Sequence, residues 1–465
     1  MTGDLDGLLA PGVIGRLQRG EVRSTELVEA CLAQIEAHQP ALKAFVTVTP
    51  ERARAEAAAA DEALARGQRL GPLHGLPITL KDNIDTAGLR TTAGSAFLAD
   101  NVPAEDATVA RRVREAGAVL LGKVQLHEFA FGGTTQNPHY GPCRNPWDAE
   151  RIPGGSSGGS GCSVAAGMCA LSLGTDTGGS VRIPGALNGV TGLRPTLGRV
   201  SNRGVFPVTW SFDTVGPLAR GVEDVAISLG AMSGFDVPDG LSVDRPVPDF
   251  AAGLDAGVDG LRIGLPRSFY LEECDPEVEA AVRAALDVLA GLGAELVEID
   301  LPGAADAVTA CTRIIWAEAR AQHERRYADE KGRFGEDLQR RLALADGVSS
   351  MDYARAVEAS RHWRREVELA FRQVDVIASP TSGTVAPLAA SAEMIETTVR
   401  LTRFTYGWSL AGLPAISLPC GFGAAGMPVG LQLAGRPFEE DVLLRAGASF
   451  QAATSWHTEA PGLGG

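Results

Sequence analysis

Apolar residues recur at Leu27, Val28, Cys31, Leu32 and Ile35. That 3.6-residue spacing predicts an amphipathic helix, with Ser24 as its cap. A second, Ala-rich helix is expected from about Glu51 to Arg66. The pattern then changes to a short β-prone run, Leu76-Pro-Ile-Thr-Leu-Lys81. Asp106 is expected to cap a helix near 107–116, and Ala118–Leu121 reads as the strand after it. Strand and helix signals alternating in this way imply an α/β fold with a mainly parallel sheet.

Residues 131–205 are dense in Gly, Ser, Thr and Pro, yet apolar runs such as Val164–Leu173 interrupt them. A linker would lack such runs, so this segment is expected to be packed. Residues 240–260 are acidic, contain Pro246 and Pro248, and read as a surface connection. Asp275-Pro276 opens a predicted helix to about Leu292, followed by a strand over Ala294–Ile299. Residues 305–373 are strongly helical and rich in Arg and Glu, and Val374–Ala378 and Ala415–Pro419 are buried-strand candidates.

Composition narrows the function. The 465-residue chain carries a formal charge of -15, which argues against nucleic acid and anionic membranes as main partners. It contains no apolar run of about 18 residues. Met1-Thr-Gly-Asp-Leu-Asp6 lacks the features of a signal peptide. The seven cysteines form no CxxC pair, which reads as reduced thiols in a cytoplasmic protein. Without HExxH or a His/Cys cluster, neither a metal nor a cofactor is expected. Of 42 basic residues only Lys43, Lys81, Lys123 and Lys331 are lysines. Arg cannot shed its proton, whereas a buried Lys can, so each Lys is a candidate base.

The densest chemistry lies in Pro153-Gly-Gly-Ser-Ser-Gly-Gly-Ser160 and Gly174-Thr-Asp-Thr-Gly-Gly-Ser180. Exposed amides in such runs can hold an anion, and a serine among them can act as a nucleophile. Gly154-Gly-Ser-Ser-Gly158 fits a nucleophile elbow, but no downstream acid and histidine pattern supports a classical triad. The one Gly-Lys, at Gly122-Lys123, is followed by Val124, so no phosphate-binding P-loop is present. A serine nucleophile then needs a carboxylate or a neutral lysine as base. Lys81, at the end of the apolar run, suits that role if burial lowers its pKa.

Several motifs resemble the amidase signature hydrolases. They are Leu80-Lys-Asp-Asn83, the two Gly/Ser stretches, Gly192-Leu-Arg-Pro-Thr196 and Gly198-Arg-Val-Ser201. Gly141–Asp148 and Leu410-Ala-Gly-Leu-Pro-Ala-Ile-Ser417 continue the likeness. The resemblance covers roughly 60–230 and 370–460 and weakens between about 240 and 350. It implies one large domain over 1–465 with a mixed sheet of about eleven strands covered by helices on both faces. Within it, 1–70 would be N-terminal helices and 71–235 the signature core. Residues 240–373 would form a variable, substrate-shaping helical region, and 374–465 would complete the core. It further implies a Ser–cis-Ser–Lys triad of Ser180 as nucleophile, Ser156 as bridge and Lys81 as base. The amides of Thr177, Gly178, Gly179 and Ser180 would form the oxyanion hole, and Asp176 would orient the loop. Arg194, Gln136 and Asn188 depart from the family's usual residues without touching the triad.

Within the family, the tRNA amidotransferase A subunit carries a Tyr-Asp-Gly-x-Arg-Tyr-Gly stretch that is absent here. Ala317–Tyr327 occupies that region instead. This absence favours a free-standing hydrolase of small-molecule amides, carbamates or esters, working as a monomer or homodimer without nucleic acid. Phe131, Gly132 and Gly133 are expected to border its substrate site, the small glycines admitting a bulky group. Trp316, Tyr406 and Trp408 could line the pocket or pack in the core. The alternatives are a glutamine-hydrolysing A subunit of a tRNA-dependent amidotransferase and a non-catalytic binding protein that keeps the fold.

Overall fold

The predicted first helix forms over Ser24–Leu42 and buries Leu27, Val28, Cys31, Leu32 and Ile35. Its cap differs from the expected one. Asp61 of the next helix, Pro50–Ala65, accepts the amides of Ser24 and Thr25 at 2.8 and 3.1 Å. The Ser24 hydroxyl instead donates to the Gly75 carbonyl. Asp106 likewise does not cap the helix Thr108–Glu115; it pairs with Arg114 and accepts the Ala87 amide. The computed structural model describes residues 9–423 and 425–463, so Met1–Asp6 lies outside the described residues.

Eleven strands form one sheet. Across it, they begin at Phe45, Val119, Pro77, Leu171, Thr214, Thr191, Ala415, Pro428, Val376, Arg262 and Glu295. The expectation of a mainly parallel sheet is corrected. Parallel pairing joins 77–81 to 119–124 and 171–176, and 262–266 to 295–299 and 376–380. The middle of the sheet is antiparallel, and 415–422 with 428–435 is a direct hairpin. Helix-strand alternation predicts crossovers, but Pro, Gly and the buried Gln432 mask the hairpin's second strand, Pro428–Gly435.

Two apolar clusters flank the sheet. One joins the N-terminal helices and helix Pro276–Gly291 to the strands. The other gathers Phe129, Trp363, Phe404 and Trp408 beneath the long helices Ala304–Gln322 and Ser350–Ala370. The candidate catalytic residues lie where two parallel neighbours end: Lys81 closes Pro77–Lys81 and Asp176 closes Leu171–Asp176. Carboxyl ends of parallel strands are a recurrent position for ligand sites in α/β sheets.

Candidate active site

Strand Pro77–Lys81 is buried along its whole length, so the lysine at its end is carried into the protein interior. Lys81 Nζ lies 2.7 Å from Ser156 Oγ and 2.7 Å from Thr175 Oγ1. No carboxylate lies within ion-pair distance of it among the described residues. Burial pulls the ammonium down to about 7, against the opposing pull of Asp213 and then Asp176. A lysine in that state is neutral for much of the time near neutral pH and can accept a proton.

The Gly155–Ser156 peptide bond is cis. Ser157 N–H donates to the Ser180 carbonyl at 3.2 Å, which draws the two Gly/Ser stretches together. Ser156 is buried, whereas Ser180 is partly exposed and lines a narrow cleft. Lys81 and Ser156 thus lie in contact in the interior, and Ser180 reaches the cleft. Thr177 and Gly178 line the same cleft. Gly179 N–H donates to Asp176 Oδ1 at 2.8 Å, so it enters an oxyanion hole only as a shared donor. Glycine is required there: φ is +124°, and a Cβ would collide with the Thr405 hydroxyl.

Asp176 anchors this loop. It accepts Gly179 N–H, Val181 N–H and the guanidinium groups of Arg182 and Arg194. Burial pushes its carboxyl up, but the two arginines outweigh this and hold it well below the usual carboxylate range. Arg194 also donates to the Phe212 carbonyl at 2.7 Å. Asn188 donates to the carbonyls of Pro153 and Pro184, and Gln136 to those of Thr134 and Cys143. The three departures from the usual family residues are thus all engaged in backbone contacts.

Phe131, Gly132 and Gly133 lie on the cleft wall with Trp316 and Tyr406, while Trp408 is core. The glycines do not open space for a bulky group. A Cβ on Gly132 would collide with the His127 ring, and one on Gly133 would meet Thr398 at 3.3 Å. The charged residue on the lining is Arg341, held by Asp337 at 2.7 Å and by Thr398 at 3.0 Å. Sequence reasoning missed Thr175, Asp213 and Arg341. Thr175 lies inside a recognised motif and Arg341 ends the family-like stretch Phe334-Gly-Glu-Asp-Leu-Gln-Arg-Arg341, whereas Asp213 stands in an ordinary context and becomes visible only through its partners.

Residues 26–444 match the family model described as Amidase. The chain belongs to the amidase signature family. It is therefore an enzyme of a C–N hydrolase family. It is 46% identical over 471 residues to the glutamyl-tRNA(Gln) amidotransferase A subunit of Roseiflexus sp. (strain RS-1), covering 96% of each chain. The corresponding protein of Thermotoga maritima has a solved structure with a TM-score of 0.79 and 34% identity, covering 94% of this chain and 92% of that one. A structure of a vestigial complex tied to the origins of an s-triazine catabolic enzyme matches with a TM-score of 0.89 and 37% identity. It covers 95% of this chain and 97% of that chain.

These relatives correct two expectations. The free-standing hydrolase of small-molecule amides or carbamates, monomeric or homodimeric and without nucleic acid, gives way to similarity with amidotransferase A subunits along the whole chain. The free-standing hydrolase leaned on one missing stretch in the variable helical region and on small glycines whose space is filled. Among the described residues, no helix is long and apolar enough to cross a membrane.

Proposed function

We propose that the chain is the glutamine-hydrolysing A subunit of a tRNA-dependent amidotransferase. The observation that carries the chemistry is the buried Lys81–Ser156 contact of 2.7 Å. Whole-chain similarity to glutamyl-tRNA(Gln) amidotransferase A subunits supports the choice of substrate and assembly. Arg341 on the cleft wall offers a cation for glutamine's carboxylate.

Neutral Lys81 takes the proton of Ser156, which takes that of Ser180. Ser180 Oγ attacks the side-chain amide carbon, and the oxyanion forms against the Thr177, Gly178 and Ser180 amides, with Gly179 shared. The C–N bond breaks as the proton returns through Ser156 to nitrogen, releasing ammonia. Water then attacks the acyl-enzyme along the same relay and frees glutamate. Released ammonia is the nitrogen source for amidating glutamyl-tRNA in the assembly.

The test mixes the purified chain with the other subunits of such an amidotransferase and follows ammonia release and tRNA amidation. Glutamine consumption coupled to amidation, abolished by Ser180→Ala, is the expected result. No glutamine turnover with the subunits present overturns the reading.

A further inference from the structure

Beside the oxyanion loop lies a second buried carboxylate, Asp213, whose surroundings differ from those of Asp176. Asp213 immediately precedes strand Thr214–Ala219, whose first residue pairs with Asp176. This places Asp213 beside the start of the oxyanion loop. Its Oδ1 accepts the Thr177 hydroxyl at 2.6 Å. Its Oδ2 accepts the amides of Val208 and Thr209 at 2.8 and 3.3 Å, and the Thr209 hydroxyl adds a bond of 3.2 Å to Oδ1. Val208 lines the cleft, so one carboxylate joins the cleft wall to the loop that carries Thr177 and Ser180.

Asp176 is matched by two arginines, but no cation lies within ion-pair distance of Asp213 among the described residues. Its buried charge is met by hydrogen bonds alone, and burial pushes its carboxyl upward. The charged groups that feel it come from separate elements. Lys81 ends its strand, Arg194 lies on strand Thr191–Arg194, and Glu318 projects from helix Ala304–Gln322. Asp176 and Arg182 lie beyond the oxyanion loop. Glu318 holds the same wall from the other side, accepting the amides of Trp210 and Ser211.

We propose that Asp213 is a positioning residue for the reaction. Its carboxylate fixes the Thr177 end of the oxyanion loop against the cleft wall. It also places a negative charge two residues before Val215, whose strand partner Thr175 contacts Lys81 Nζ, and that charge favours Lys81 as a cation once the relay proton arrives. This rests on the Lys81–Ser156–Ser180 relay but not on glutamine as substrate.

The test uses a sulfonyl fluoride, whose rate of Ser180 modification, read by intact mass across pH, reports nucleophile activation whatever the natural substrate. In the unaltered protein the rate should fall as pH drops through about 7. In Asp213→Asn the plateau rate should fall about tenfold and the midpoint should move about one pH unit lower, because a nearby anion that favours the ammonium is gone. Thr177→Val, which keeps the charge, should lower the plateau with little movement of the midpoint. A purely structural Asp213 would lower the plateau and leave the midpoint in place, and that result overturns the charge role. An unaltered plateau in Thr177→Val overturns the loop role, even if Asp213→Asn fails to fold. If Lys81→Ala reacts like the unaltered protein, the relay itself fails; if Lys81→Ala is inert and Asp213→Asn unaltered, the inference alone fails.

Discussion

Lys81 and Lys123 are both fully buried, and they lie on adjacent parallel strands in which Leu80 pairs with Lys123. Their surroundings are opposite. Lys81 meets the hydroxyls of Ser156 and Thr175. Lys123 meets Asp82 at 3.5 Å, the Ile84 carbonyl at 2.6 Å and the Thr91 hydroxyl at 2.7 Å. Burial lowers both ammonium groups, but around Lys123 it is opposed first by Asp82 and then by Asp85. Asp82 is itself held by Thr92. Burial therefore does not make a base. A buried lysine among hydroxyls is free to give up its proton, whereas one beside a buried carboxylate serves as that carboxylate's counter-ion.

Breaking the first of the pair should have the largest effect. Lys81→Ala should reduce turnover about 10²–10⁴-fold, the range that a positioned acid–base group contributes. Lys81→Arg should do no better, because a guanidinium cannot take the serine proton. Steady-state release of ammonia from glutamine, measured under the conditions of the proposed function, checks both. Full activity in either variant near neutral pH would remove Lys81 from the relay.

The same cut at Lys123 should act on folding. Lys123→Met leaves Asp82 buried without its cation, and breaking a buried pair from one side costs about 3–5 kcal/mol. Denaturant unfolding should show that loss, while turnover per folded molecule stays close to that of the parent. Adding Asp82→Asn should recover part of the stability. A Lys123→Met enzyme that is stable but inactive would erase the distinction between the two lysines.

The contrast also has a pH signature. Lys81 titrates at about 7 in the folded protein, against roughly 10.4 in an unfolded chain. Between those values the unfolded chain binds the proton and the folded one does not, so stability rises with pH across that window. Below the window Lys81 is charged in both states, and the folded state carries the full desolvation cost. Lys81→Met should therefore be more stable than the parent by a few kcal/mol, at about 1.4 kcal/mol for each pH unit that separates the two values. That gain should be full at and below about pH 7 and fade by about pH 10. Melting curves of the two proteins across about pH 6–10 measure it.

Much of this was legible in residue patterns, and the limits have physical causes. The Gly/Ser stretches announced themselves because backbone that bends this sharply excludes other residues. Lys81 stood out because lysine is scarce and this one ends an apolar run. The pattern singled out Lys81 over Lys123 by its run and motif, but not the physical difference between them, which lies in Asp82, Ser156 and Thr175 as the fold arranges them. Asp213 was invisible for the same reason: its partner Thr177 is 36 positions away. The roles of Gly132 and Gly133 were misread because small size signals either open space or a close neighbour. Here His127 and Thr398 are the neighbours.

The finest test of the comparison concerns Thr175, the second hydroxyl on Lys81. Its oxygen accepts from Lys81 Nζ and, at 3.3 Å, from Asn83 Nδ2. Thr175→Val keeps the shape and removes the acceptor. One such hydrogen bond is worth about 0.5–1.5 kcal/mol, so turnover should fall between about twofold and tenfold. The sign of the pH effect identifies the cause. An acceptor favours the charged amine, so its loss should move the acid limb of the rate profile to lower pH. A drop in turnover with an unmoved limb would mean that Thr175 only orients the side chain. An unchanged rate and limb would leave Ser156 alone as the group that distinguishes Lys81 from its carboxylate-bound neighbour.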